Sequence, residues 1–81
     1  MKQINFNVET AKEIVEGKRP GQIKTKDGHN VKILTFETKG LFPITGLIDY
    51  GDFEKAQTWK NNGRADFSDS TNLTIDLVLE V

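Results

Sequence analysis

The chain has 81 residues, of which 28% are charged, and a formal net charge of −1 at pH 7. This length predicts one domain over 1–81 with a small core. The chain contains no cysteine, which excludes disulfides and thiolate metal ligands and fits a reducing cytoplasm. No apolar run approaches the roughly 18 residues of a membrane span, and the N-terminus lacks a signal peptide's apolar segment. We therefore expect a cytoplasmic protein with no membrane partner.

The first predicted element after a short extended lead-in is a helix over about 8–16. Asn7 is a preferred N-cap residue, and Phe6 and Ala11 are spaced as a hydrophobic staple. Gly17 is a natural residue to end the helix. The predicted apolar stripe consists of Val8, Ala11, Ile14 and Val15. So short a helix is marginal alone, so we expect it to dock on a sheet.

The middle of the chain predicts two strands that are apolar on both faces. From Val31 to Tyr50, β-branched and aromatic residues fall at both odd and even positions. This pattern is typical of a central strand or of a strongly curved sheet. Pro43 lacks an N–H group and suits the first position of a strand. Gly46 inside the second strand indicates a bulge, a bend or the close approach of another backbone.

Turn residues separate the other predicted strands. Asp27-Gly28 and Asn62-Gly63 are pairs typical of hairpin turns. The segment 53–60 fits either a helical face or a strand, and we favour the strand because a hairpin turn follows it. The complete set of predicted strands is 22–26, 31–38, 43–50, 53–60, 65–67 and 73–81.

The C-terminal segment has the most regular pattern in the chain. From Leu73 to Val81, a leucine, isoleucine or valine occupies every odd position. Strict alternation of this kind predicts a strand with one buried face. The elements together predict a mainly β (α+β) fold. A short N-terminal helix is followed by a five- to six-stranded antiparallel sheet, strongly bent or closed into a small SH3-like barrel.

Several short motifs of glycine, proline and core apolar residues carry a resemblance. They are Gly28-x-x-Val31-x-Ile33, Lys39-x-x-x-Pro43-Ile44-x-x-Leu47, Gly63-Arg64 and Asp76-Leu77. In these motifs, which span most of the chain from the helix onward, the sequence resembles small uncharacterised proteins of gut Bacteroidetes and their phages. The motifs are specific for a fold and nearly silent about chemistry. The resemblance therefore implies a cytoplasmic bacterial or prophage origin, and it transfers no activity and no functional residues.

No combination of residues predicts a catalytic, cofactor or metal site. The only histidine, His29, lies in a predicted turn with no nucleophile motif near it, and a solvated turn residue is the better interpretation. The oxygen-rich residues Asp66, Asp69, Ser70 and Asn72 do not have the spacing of a calcium loop. We therefore predict a polar loop there, no cofactor, and a protein that is not an enzyme.

Two candidate contact surfaces remain, one basic and one apolar. The basic candidates for nucleic-acid contact are Arg19, Lys24, Lys26 and Lys32. Lysines on an edge strand also protect against aggregation, and that interpretation is favoured. Leu41 and Phe42 precede Pro43 in a predicted loop, where they would form a protein-contact patch if exposed or close the barrel end if folded back. The predicted function is a small interaction module that binds a protein partner or itself, with a nucleic-acid-binding barrel as the alternative.

Overall fold

The computed structural model describes residues 2–68 and 73–81. Within these ranges the chain is mainly β with one short helix, as predicted. The elements in chain order are β1 (Gln3–Asn5), α1 (Val8–Val15), β2 (Gln22–Thr25), β3 (Val31–Thr35), β4 (Ile44–Asp49), β5 (Glu54–Trp59) and β6 (Leu77–Glu80). The described residues contain no helix with the length and hydrophobicity that a membrane span requires.

The helix begins where its capping residue predicts. Asn7 has an extended backbone, and its side-chain oxygen accepts a hydrogen bond of 3.1 Å from the Thr10 N–H. This bond satisfies one of the N–H groups that the first turn leaves without an intrahelical partner. The helix ends at Val15, and Gly17 follows with a φ of +77°, a conformation that glycine adopts without strain. Ala11 on the inner face is fully buried.

The six strands form two antiparallel three-stranded sheets. Sheet A has the order β1-β6-β2, and sheet B has the order β3-β4-β5. Among the described residues, one isolated backbone bridge between the sheets joins Lys24 of β2 to Asn30, next to the β2–β3 turn. Beyond this bridge the two strands diverge, and Ile14 and Val15 of α1 line the gap between them. The prediction of a single bent sheet is therefore wrong, and a closed SH3-like barrel is not confirmed.

The core lies between the two sheets and the inner face of the helix. Its fully or nearly fully buried apolar residues are Ala11, Ile23, Ile44, Ile48, Trp59, Leu77 and Leu79. Trp59 ties the sheets together, because its indole N–H donates a hydrogen bond of 2.8 Å to the Ile75 carbonyl just before β6. Gly46 allows the indole to approach, since a Cβ there would lie 3.3 Å from the ring and 2.7 Å from the Lys32 carbonyl oxygen. Close approach at Gly46, one of its predicted roles, is thus confirmed.

Three predictions about the strands need correction or refinement. The ambiguous segment is a strand, Glu54–Trp59. No strand forms over 65–67, where the chain has bends instead. The C-terminal strand begins only at Leu77, because the preceding residues form a turn.

The carboxylate of Asp76 explains why the alternating pattern does not extend as a strand. Asp76 is buried, and its two oxygens accept hydrogen bonds from the N–H groups of Ala65, at 2.8 Å, and Leu73, at 3.1 Å. These bonds satisfy a buried polar group and hold the 65 and 73 segments in place. Val78, predicted to point outward, is only 7% exposed. β6 is the central strand of sheet A, and Val78 lies in register between Asn5 and Lys24.

Candidate interaction surface

Three of the four predicted nucleic-acid contacts already have carboxylate partners. The Arg19 guanidinium lies 3.5 Å from Glu13, and the Lys24 ammonium lies 3.3 Å from Glu80. The Lys26 ammonium lies 3.9 Å from the buried carboxylate of Asp76. Each pair offsets the positive charge that a phosphate would need. These side chains therefore do not combine into one open basic surface.

Lys32 differs from these three cations. It lies on β3, is exposed, and forms no ion pair with a carboxylate in the part of the chain that the structure describes. Its neighbours in register are Leu47 on β4 and, through that residue, Ala56 on β5. Lys32 is thus an isolated positive charge on the outer face of sheet B, beside apolar side chains.

The predicted apolar patch is only partly exposed. Leu41 is 65% exposed, whereas its neighbour Phe42 is half-buried. The connection between β3 and β4 is closed by a hydrogen bond of 3.0 Å from the Thr38 N–H to the Pro43 carbonyl. Of the two predicted residues, only Leu41 offers a large apolar surface to a partner.

A polar and aromatic cluster surrounds the single histidine. Asp27 accepts hydrogen bonds from the Thr25 hydroxyl and, at 3.0 Å, from the His29 Nδ1 atom. These two donors stabilise the charged carboxylate, so they lower the pKa of Asp27 below its ordinary value. The His29 ring contacts Tyr50 with a centroid distance of 4.6 Å, and Tyr50 stacks on Phe53 at 5.2 Å.

This cluster stabilises two turns. The Thr25 hydroxyl is engaged by Asp27, and the Thr25 N–H donates to the His29 carbonyl at 2.9 Å, which closes the β2–β3 turn. The Thr25 hydroxyl oxygen also accepts a hydrogen bond of 3.1 Å from the His29 backbone N–H. The Tyr50 contact joins this turn to the one between β4 and β5.

Metal binding has no support in the described ranges. Residues 2–68 and 73–81 contain no group of three or more histidine, aspartate or glutamate side chains that could hold a metal ion. Of the oxygen-rich residues noted in the sequence, Asp69, Ser70 and Asn72 lie outside the described residues.

An open groove lies between α1 and the edge of β3 that faces away from β4. Two hollows of about 330 and 300 Å³ form it. Val31 of β3 lines the first hollow, Thr35 lines the second, and Val15 of α1 lines both. The other lining residues of the groove are Lys12, Ile14, Glu16, Gly21, Gln22, Ile23, Asn30, Phe36 and Glu37.

Backbone groups of β3 point into this groove. The Asp49 N–H donates to the Asn30 carbonyl at 2.9 Å, so Asn30 directs its backbone groups toward β4. In an antiparallel pair, the direction of the backbone hydrogen-bonding groups alternates from residue to residue. The backbone groups of Lys32 therefore also point toward β4, whereas those of Val31 and Ile33 point toward the opposite edge of β3. Past the bridge at Asn30, no described strand pairs with that edge. The groove therefore has an open strand edge as one wall.

Exposed apolar side chains lie on both sides of the same edge. Val15, on the helix side of the groove, is 49% exposed, and Leu34, on the outer face of β3, is 55% exposed. Val15 was predicted on the apolar stripe of the helix, and the strand over 31–38 was predicted to be central or part of a strongly curved sheet, so this surface was not predicted. The one available signal was the apolar character of 31–36 on both faces, which describes an edge awaiting a partner as well as a central strand.

Comparison with known proteins adds no relative, since no family model, no curated protein and no solved structure matches this chain.

Proposed function

We propose that this protein is a non-catalytic interaction module that binds a protein partner in the groove between α1 and β3. The observation that carries the proposal is the open edge of β3 with exposed apolar side chains, Val15 and Leu34, on its two sides. Small proteins ordinarily protect strand edges with charges, bulges or a covering segment, because an open edge pairs with other chains. Here Lys32 supplies one charge, and the register shift between Ile33 and Thr35 interrupts the edge. Apolar side chains such as Val15 and Val31 line the groove beside it, together with the charged residues Lys12, Glu16 and Glu37.

The other open edge of sheet B supports this choice by contrast. β5 carries Glu54 and Lys55 at its start, and both are exposed. Lys55 pairs in register with the buried Ile48, so it is a charged residue on the core-facing side of an edge strand. Such an inward-facing charge is a common device against edge-to-edge association. The edge of β3 lacks this protection on its inner side, where Val31 and Ile33 lie.

The nucleic-acid alternative has weaker support, because Arg19, Lys24 and Lys26 already pair with carboxylates. Binding through Lys32 alone would neutralise about one phosphate and give a log–log salt slope of only about −0.7 on single strands. A slope of −2 or steeper, measured with single-stranded DNA and RNA from low to moderate salt, would instead favour the nucleic-acid hypothesis.

A displayed library of random linear peptides, selected against the intact protein, tests the proposal. We expect enriched peptides whose binding is lost in the Val15→Glu and Leu34→Glu variants, since a charge on either side of the edge repels an apolar ligand. Phe67→Glu is the control, because Phe67 is a large apolar side chain that is 71% exposed and does not line the groove. Thermal unfolding of each variant verifies that it is folded.

Two results would overturn the protein-binding proposal. One is a library that yields no enriched peptide against the wild type. The other is a set of peptides that binds the Val15→Glu and Leu34→Glu variants as tightly as the wild type, which would place the contact elsewhere.

A further inference from the structure

Resting on the proposed function, we infer that the partner enters the groove as an extended segment that pairs with β3 as an additional antiparallel strand. Its sequence carries two consecutive apolar residues followed by an acidic residue. The first apolar residue lies opposite Leu34, the second opposite Ile33, and the acidic residue opposite Lys32. The backbone groups of β3 favour an extended ligand, and its side chains and the charge of Lys32 favour the residues that this ligand carries.

The backbone fixes the form of the ligand. Ile33 directs its N–H and carbonyl groups away from β4, and the Val31 carbonyl has the same direction. Groups of this kind are matched by another extended backbone, which is how strand addition recognises peptides. β3 has five residues, and its register against β4 shifts between Ile33 and Thr35. The regular part of the edge therefore runs from Val31 to Ile33, a length of about 10 Å. A segment of about three residues can pair along it and reach Leu34 at the irregularity. We choose the antiparallel direction because its hydrogen-bond pattern is slightly more stable per residue.

The inner face requires an apolar residue. Side chains on the same face of paired strands lie directly opposite each other, so the residue opposite Ile33 points into the groove. There it meets Val15, whose exposed half lies between the two hollows, and Ile14 beyond it. A branched apolar side chain of the ligand would cover Val15 and Ile14 and exclude water from them. Burial of apolar surface stabilises a complex by roughly 25 cal/mol per Å².

The outer face requires an apolar and then an acidic residue. Lys32 and Leu34 are both exposed and lie two positions apart on β3, with Leu34 at the register shift that follows Ile33. A residue opposite Leu34 must be apolar to cover it, and a carboxylate opposite Lys32 would complete an ion pair that the described residues do not supply. A second copy of β3 would bring another lysine to this edge and no carboxylate. Charge complementarity therefore favours a different chain as the occupant.

The experiment starts from the strongest peptide that the library selection yields. Its backbone amides are N-methylated one at a time, and affinity for the intact protein is measured by titration calorimetry. For strand addition, methylation should weaken binding about tenfold or more at alternate positions and little at those between. N-methylation removes a backbone N–H donor and leaves the side chain unchanged. Since only alternate N–H groups of an added strand face β3, each methylated position is the control for the next one.

Lys32 variants test the acidic position independently of the backbone. Lys32→Glu should weaken the selected peptide about tenfold, and changing the peptide's acidic residue to lysine should restore the affinity for this variant. Lys39→Glu is a matched control, since Lys39 is an exposed lysine in the β3–β4 connection outside the groove. If affinity is restored when the charges of residue 32 and of the peptide's acidic residue are exchanged, the two groups form an ion pair. A general effect of net charge would appear equally in Lys39→Glu.

The outcomes distinguish this inference from the proposed function. Peptides that compete for the groove, yet show uniform or no sensitivity to N-methylation, would leave the protein-binding function standing and overturn strand addition. Selected peptides without the apolar–apolar–acidic pattern would overturn the recognition rule. A dimer in light scattering of the free protein that Val15→Glu dissolves would identify a second copy as the occupant, and this too would overturn the inference.

Discussion

The two sheets differ in how completely their strands are covered. In β6, the centre of sheet A, three consecutive residues are buried, from Leu77 to Leu79. In β3, at the edge of sheet B, residues alternate between half-buried and exposed. Both sequences are comparably apolar, so composition does not explain the difference. The position of each strand explains it, because β6 has strands on both sides while β3 has one partner and an open edge.

This difference separates the part of the molecule that holds the fold from the part that can bind. Covered central strands open only with large-scale unfolding, whereas edges with few covering contacts are low in local stability and accessible to ligands. We therefore expect substitutions near β6 and Trp59 to lower the free energy of unfolding. Substitutions at the β3 edge should leave stability unchanged and alter binding.

The largest effect is expected at the tryptophan that joins the two sheets. Trp59→Ala removes a fully buried ring and its hydrogen bond to the Ile75 carbonyl, and should cost about 3–5 kcal/mol. Trp59→Phe keeps an aromatic ring but leaves that carbonyl without its donor, and should cost less. Chemical denaturation measures both. A loss below about 1 kcal/mol for the alanine variant would mean that the sheets are stable without this link.

A matched pair of leucines tests the contrast between the sheets directly. Leu77→Ala in β6 should cost about 2–5 kcal/mol, because Leu77 is only 3% exposed. Leu34→Ala in β3 should change the free energy of unfolding by less than about 0.5 kcal/mol. Denaturation midpoints of the two variants give the comparison. Equal losses would contradict the assignment of Leu34 to an open outer face.

The smallest effect concerns the turn between the sheets and depends on pH. Because hydrogen bonds lower the pKa of Asp27 in the folded protein, its stabilising contribution is present above the pKa of the unfolded chain. That contribution is lost as the pH falls through the lower, folded value. Asp27→Asn should therefore cost less than about 1 kcal/mol at pH 7, and its difference from wild type should shrink below about pH 4. A difference that grows in acid would contradict this linkage.

Local chemistry made several elements predictable from the sequence. The side chain of Asn7 can cap a helix wherever it occurs, and the Asp27-Gly28 pair favours a tight turn because glycine accepts a positive φ. The strand over 53–60 followed from the turn after it, and the structure confirms it as Glu54–Trp59. These features depend on residues close together in the chain, so no knowledge of the remaining fold is needed.

The candidate site was only partly predictable. Lys32, on the edge strand of the site, was identified from the sequence and is exposed. Leu41, the other predicted contact residue that is exposed, does not line the groove. The sequence did not reveal that Arg19, Lys24 and Lys26 pair with Glu13, Glu80 and Asp76. Two of these three pairs join residues more than 45 positions apart, and a local pattern contains no information about such partners.

The sequence by itself determined the helix cap, the turns at Asp27-Gly28 and Asn62-Gly63, and the alternation that makes the last segment a strand former. Tertiary structure decided how far that strand extends, because Asp76 is drawn inward by the N–H groups of Ala65 and Leu73. It also decided that β6 lies in the middle of sheet A and β3 at the border of sheet B. The residues of a strand specify which of its faces are apolar, but its backbone can form hydrogen bonds to a neighbouring strand on either edge. Only the arrangement of the other strands and of α1 determines which edge stays open.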